Sequence, residues 1–213
     1  TASIKALCGR NDGIVCTSSN AAATYNWALE KDKKILFLPD QHLGRNTGLT
    51  MGIDLSKMIV WNPFKPLGGH TPKDIDDAKV ILWQGHCSVH TRFTVEQIRQ
   101  ARELHPDVNV IVHPECTMEV VESADSNGST EFIKKTIEDA SPGTKWAVGT
   151  EISMVNRVAR ENADKTVFCL DSVVCPCSTM YRIHPAYLSW VLDGLIEGVV
   201  VNEIDVDEET SHD

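Results

Sequence analysis

The sequence predicts an α/β protein made of repeated three-layer αβα sandwich domains with parallel sheets. Three observations carry that expectation. A strand, a polar corner and a helix recur in that order about six times along the chain, the order that gives parallel sheets with helices on both faces. The apolar runs between the helical stretches are short and bounded by turn residues. Most polar and thiol groups of chemical interest stand directly after an apolar run, at the strand ends where such sheets bind ligands.

Taken in order, "GIVCTSSNAAATYNWALEK" predicts a strand, a polar corner and a helix whose N-cap is Ser18, Ser19 or Asn20. In "KKILFLPDQHLGRNTG" a strand over 34–38 ends at Pro39-Asp40. There Asp40 is expected to cap a following turn or helix, and Arg45 and Asn46 are expected at the surface. The segment "NPFKPLGGHTPKDIDD" fits nowhere in the alternation and reads as a surface excursion. "AKVILWQGHCSVH" predicts a buried strand, and "TVEQIRQARELHP" has the spacing of an amphipathic helix. "VNVIVHPEC" is the next strand, followed by a helix from about Met118. Then come "SADSNGSTEFIKKTIEDA", "KWAVGTEISMVNRVAREN" and "TVFCLDSVVCPCSTM". Two units each end a strand with a His closely followed by a Cys, as an internal duplication would.

Composition narrows the function. With 42% hydrophobic residues in 213, the chain buries a sizeable core. A net charge of −10 argues against the nucleic-acid backbone as a partner, because that surface needs clustered Lys and Arg. No apolar run approaches the roughly 20 residues of a membrane span. The start has neither the basic nor the apolar region of a secretory signal, and the seven unevenly spaced cysteines then read as reduced thiols of a cytoplasmic protein. The first residue is not Met, so an N-terminal portion is expected to be missing.

The chemistry the residues allow is broader. Paired Cys-x-x-Cys knuckles of structural zinc are lacking, and Cys175-Pro-Cys177 is too tight for one. Cys87 with His86 or His90 is formally a nucleophilic dyad. Isolated cysteines from separate loops also suit an iron–sulfur cluster, in which three protein ligands leave one iron open as a Lewis acid. The plain alternative for each cysteine is a small buried hydrophobe.

Together and in this order, "CTSSNA", "GHCSVH", "VHPEC", "GST", "GTE" and "CPCSTMYRI" make the chain resemble the quinolinate synthases over essentially its whole length. The resemblance implies three similar αβα domains around a 4Fe-4S cluster. It also implies condensation of iminoaspartate with dihydroxyacetone phosphate to quinolinate, the precursor of the NAD pyridine ring. A further expected partner is the L-aspartate-oxidising enzyme that supplies iminoaspartate. On this resemblance residues 1–85 are the family's second domain, 86–170 its third, and 171–213 a segment returning to a first domain absent from this sequence.

The cluster ligands matched are Cys87 and Cys175, with Cys177 a rival for the second. Cys16 and Cys116 match positions that do not ligate. Ser18, Ser129 and Thr130 match the binding places of the anionic substrate groups, and each stands where a helix starts. Glu115 is expected to be the general acid/base, with His113 and His90 binding substrate and relaying protons. Asp40 and Glu151 receive no catalytic role. A non-catalytic αβα anion-binding module, or an inactive fragment without the cluster, is the other reading.

Overall fold

The computed structural model describes residues 1–171, 173 and 176–212. It divides into two compact units, one formed by Thr1–Val15 with Pro176–Asp213, the other by Cys16–Cys175. In the first unit the described elements are α1 (Ala2–Arg10), α9 (Pro185–Ile196) and α10 (Glu208–His212); α1 packs on α10, with Arg10 3.2 Å from Glu209. Helix α9 is rich in Leu, Ile, Trp and Val, yet none of its residues is buried.

The second unit holds two parallel sheets, in accord with the α/β class expected. Its elements in order are α2 (Ala21–Leu29), β1 (Ile35–Phe37), α3 (Gln41–Thr50), β2 (Met58–Trp61), α4 (Pro72–Asp77) and β3 (Val80–Trp83). There follow α5 (Val95–Leu104), β4 (Val108–Val112), α6 (Met118–Ser123), β5 (Ser126–Asn127), α7 (Thr130–Glu138), β6 (Lys145–Gly149), α8 (Ile152–Glu161) and β7 (Thr166–Cys169). The first sheet has the order β1-β3-β2 and the second β5-β4-β6-β7. Every pairing described is parallel, with Ile35 and Met58 both opposite Val80 in the first sheet and Val108 opposite Lys145 in the second.

Alternation along β4 and β6 explains the layers of the second sheet. Val108, Val110, Val112 and Ala147 point to one face, where Ile98 and Ala101 of α5 and Val120 of α6 cover them. Ile111, Trp146 and Val148 point to the other, against Ile133 and Ile137 of α7 and Val155 and Val158 of α8. Successive residues of a strand face opposite ways, so both faces can be apolar only when helices cover both. On the first sheet the buried cluster lies on one face: Phe37, Met58, Val80 and Leu82 pack against Tyr25 of α2 and Leu43 of α3.

Helix α3 sits unusually low on that sheet. A Cβ on Gly44 would stand 2.6 Å from Leu82 Cδ2 and 2.7 Å from Phe37 Cδ1, and the Gly44 carbonyl accepts from the buried Tyr25 hydroxyl at 2.8 Å. Only a glycine lets the helix approach this closely.

Three expectations change. The strand expected at "GIVC" is not formed: residues 13–16 have no sheet partner, and Ile14 and Val15 are exposed. Four apolar residues alone do not fix a strand. The stretch before the surface excursion contains an unforeseen strand, β2, and the excursion itself contains α4, started by a capping box between Thr71 and Asp74. Asn46 is buried, not at the surface, and Arg45 beside it is half-buried. Asp40 does cap a helix, accepting from the amides of His42 and Leu43 at 2.8 Å each.

Candidate active site

The ends of β3 and β4 carry four of the expected residues, and the end of β6 meets them. After β3 the chain turns through Cys87 into a single 3₁₀ turn, His90–Arg92, which buries His90. After β4 a turn carries His113 and Glu115. The amide of His113 donates to Gly149 O at 3.0 Å, extending the ladder beyond the strand and fixing the ring's origin. After β6 comes Thr150, which is fully buried.

His90 joins the three. Its Nδ1 lies 2.9 Å from Glu115 Oε2 and its Nε2 lies 3.1 Å from Thr150 Oγ1. Burial opposes a charge on this imidazole, but hydrogen bonds to Cys87 and Glu115 outweigh it and raise its pKa to about 9. His90 is therefore an imidazolium at neutral pH, donating to Glu115 and to Thr150. Glu115 is held ionised by the same contact: desolvation pushes its pKa up, and the hydrogen bond and charge of His90 push it further down. The Cys87 thiol is also lowered overall, burial being outweighed by its hydrogen bonds to His90.

His113 behaves in the opposite way. Its ring stacks on His90 with centroids 4.3 Å apart and 14° between planes. Burial, and then the adjacent positive charge of His90, lower its pKa to about 4. The Glu115 amide donates to its Nδ1 at 3.2 Å, so the neutral ring carries its proton on Nε2, which lies 3.3 Å from Ser18 Oγ. Two stacked imidazoles, one charged and one neutral, thus face one carboxylate: a donor, a relay and an acceptor of protons in contact.

Ser18 reaches this cluster from the turn before α2, although no strand precedes it and the N-cap of α2 is Asn20. Ser129 is the N-cap of α7, its hydroxyl accepting from Phe132 N at 3.2 Å, and Thr130 is the first helical residue. Among the described residues no hydrogen bond links either to the histidines. Glu151 caps α8 through Ser153 N and Met154 N. Sequence reasoning gave no role to Thr150 or to Asn46, whose Nδ2 donates to Pro114 O at 2.8 Å and Cys116 O at 2.9 Å. Their contacts span 60 and 68 residues of sequence, which no local pattern announces.

One donor atom each from Cys87, His90 and Glu115 lie within 4.8 Å of one another, a group able to hold a metal ion. The thiols test how an iron–sulfur cluster would fit. Cys116 is fully buried with Sγ 3.7 Å from Gly149 O, and burial pushes its pKa well up. Burial also raises Cys169. Of Cys87, Cys116 and Cys169, Cys87, half-buried and shifted toward thiolate, is the one that suits ligation. Cys175 lies outside the described residues, and Cys177 belongs to the other unit.

The model of the quinolinate synthetase A protein family matches residues 1–213. A quinolinate synthase of Corynebacterium glutamicum is 57% identical over 208 residues, which cover 98% of this chain and 53% of that protein. Those of Nocardioides and Streptomyces coelicolor are each 53% identical, covering 99% of this chain and 55% and 54% of their own lengths. The chain spans about half the length of the curated relatives it matches.

Proposed function

Because the chain belongs to the quinolinate synthetase A protein family, we propose that it supplies the acid–base group and part of the cluster site of a quinolinate synthase. The reaction is the condensation of iminoaspartate with dihydroxyacetone phosphate to quinolinate, in which phosphate and water leave. The observation that carries the reading is the contact of Glu115 with an imidazolium, 2.9 Å away, beside the Cys87 thiol.

In this reading Glu115, ionised and within reach of its own proton donor, takes a proton from the carbon acid of the sugar phosphate. His90, protonated and buried, returns one to a departing hydroxyl. Neutral His113 hydrogen-bonds substrate from Nε2 and, through Ser18, is joined to the start of α2. Ser129 and Thr130, at the start of α7 where unpaired amides favour negative charge, and Ser18, in the turn before α2, hold the anionic groups. Cys87 and Cys175 would be thiolate ligands of a 4Fe-4S cluster, with the rest of the coordination supplied from outside this sequence. Such a cluster, with one open iron, supplies Lewis acidity for dehydration.

The setting is cytoplasmic and the upstream partner an L-aspartate-oxidising enzyme. No helix of the described residues is long and apolar enough to cross a membrane.

The test uses the full-length protein. Glu115→Gln keeps size and hydrogen bonding but loses the ionisable proton, so iron and sulfide content stays and turnover falls by roughly 100-fold or more. Cys87→Ala removes a thiolate, so cluster and activity vanish together. Near-normal turnover in the Gln variant removes Glu115 from the chemistry. A wild-type protein that takes up no iron or sulfide favours the non-catalytic αβα module.

A further inference from the structure

We propose that helix α3 sets the spacing of the site, with Asp40 and Asn46 as positioning residues that hold the Cys87 loop and the Glu115 turn in place. The inference rests on the roles given above to Cys87 and Glu115, and it assigns a function to two residues outside that set.

Asp40 uses both carboxylate oxygens. Oδ1 accepts from the amides of His42 and Leu43, the ordinary work of an N-cap. Oδ2 accepts from the amide of Cys87 at 2.9 Å, across 47 residues of sequence. A second strap runs beside it, where Gln41 N donates to Gly85 O at 2.9 Å. The approach is close: a Cβ at Gly85 would stand 2.2 Å from Pro39 O. A serine would satisfy the helix equally well, so capping alone does not require a carboxylate here.

Asn46 lies six residues further on, buried on the same helix. Both hydrogens of its Nδ2 are spent on Pro114 O and Cys116 O, the carbonyls that flank Glu115. Six helical residues rise roughly 9 Å, and a helix does not stretch. The strand-end loops of two different sheets are therefore fastened at two marks on one rigid rod, which packs directly on β3 and α6. The 2.9 Å contact between His90 and Glu115 joins those two loops, and this rod fixes their separation.

The experiment separates the two marks. Asp40→Ser retains a cap but cannot reach Cys87, so the melting transition should be kept. In the metal-free full chain the Cys87 amide should exchange about tenfold faster, the equivalent of one lost hydrogen bond. In the iron- and sulfide-loaded full chain, loss of iron to a chelator should be about tenfold faster or more. If the Ser variant does not fold, Asp40→Asn replaces it, since its Oδ1 still caps while its Nδ2 cannot accept from Cys87.

Asn46→Leu removes both donors at similar volume, with Asn46→Ser as the substitute if Leu is not tolerated. Iron retention should match wild type, the Cys116 amide, which closes this turn onto His113 O at 2.9 Å, should exchange faster as the turn loosens, and kcat should fall about tenfold or more with little change in KM. Wild-type exchange at Cys87 in the Asp40 variants, or at Cys116 in the Asn46 variants, overturns the inference. If wild-type protein holds no cluster, the functional reading fails instead, and amide exchange still decides this one.

Discussion

Thr150 is the third partner of the His90 ring, beside Glu115 and Cys87. Its hydroxyl lies 3.1 Å from Nε2, and both residues are buried, so losing this partner is costly. Thr150→Val keeps the shape and removes that acceptor, so the imidazolium loses a hydrogen bond and the His90 pKa drops below about 9. An NMR titration of the imidazole in the metal-free protein reads this; an unmoved midpoint would show that Glu115 and Cys87 alone hold the charge. His113 gives the complementary prediction. Between the ordinary value of 6.5 and its folded value of about 4, the unfolded chain binds a proton that the folded chain refuses. Its contribution to stability is thus fully present above pH 6.5 and is lost as pH falls toward 4. Replacing His113 by Gln should flatten the slope of the urea midpoint against pH across that window, whereas an unchanged slope means the ring is not held neutral. Cys87, His90, His113 and Glu115 were legible because strand ends collect ligands. Asn46 was not: a mid-helix Asn reads as solvent-exposed until a partner strand's turn arrives to accept from it.

At the scale of elements, the low seat of α3 leaves no room for a side chain at Gly44. Gly44→Ala drives a methyl into Leu82 and Phe37, both buried and backed by other core side chains. Overpacking of this kind costs about 1–3 kcal/mol, so chemical denaturation should show a lower midpoint with an unchanged slope. A midpoint equal to wild type would mean that the helix can lift without loss. The same element explains what the sequence hid. Asp40 advertised a helix start, and the amphipathic spacing of α5 was readable in "TVEQIRQARELHP". Strand β2 is a run of four residues leading straight into a Pro- and Gly-rich stretch, and so lacked the flanking pattern that marks a strand. "GIVC" had that pattern and no neighbouring strand to pair with, and pairing rather than propensity decides a strand.

At the scale of the molecule, charge and apolar surface pull in different directions. The net charge of −10 favours solubility, while the unit formed by residues 1–15 and 176–213 leaves Leu188, Trp190, Leu192 and Ile196 of α9 at least half exposed or nearly so. The 213-residue chain should bind a hydrophobic dye and self-associate as its concentration rises, and a chain limited to residues 16–171 should do so much less. Light scattering and dye fluorescence compare the two; equal behaviour would place the sticky surface in the two-sheet unit.

The order β1-β3-β2 also has a meaning in time. The central strand of the first sheet is the last of its three to be synthesised, so Ile35–Phe37 and Met58–Trp61 leave the ribosome with no strand to pair with until residues 80–83 follow. Through that interval two apolar edges stand open, the condition under which nascent chains need a chaperone. Only when β3 has emerged can it take its place between them, and the next turn of chain to follow is the one that carries Cys87.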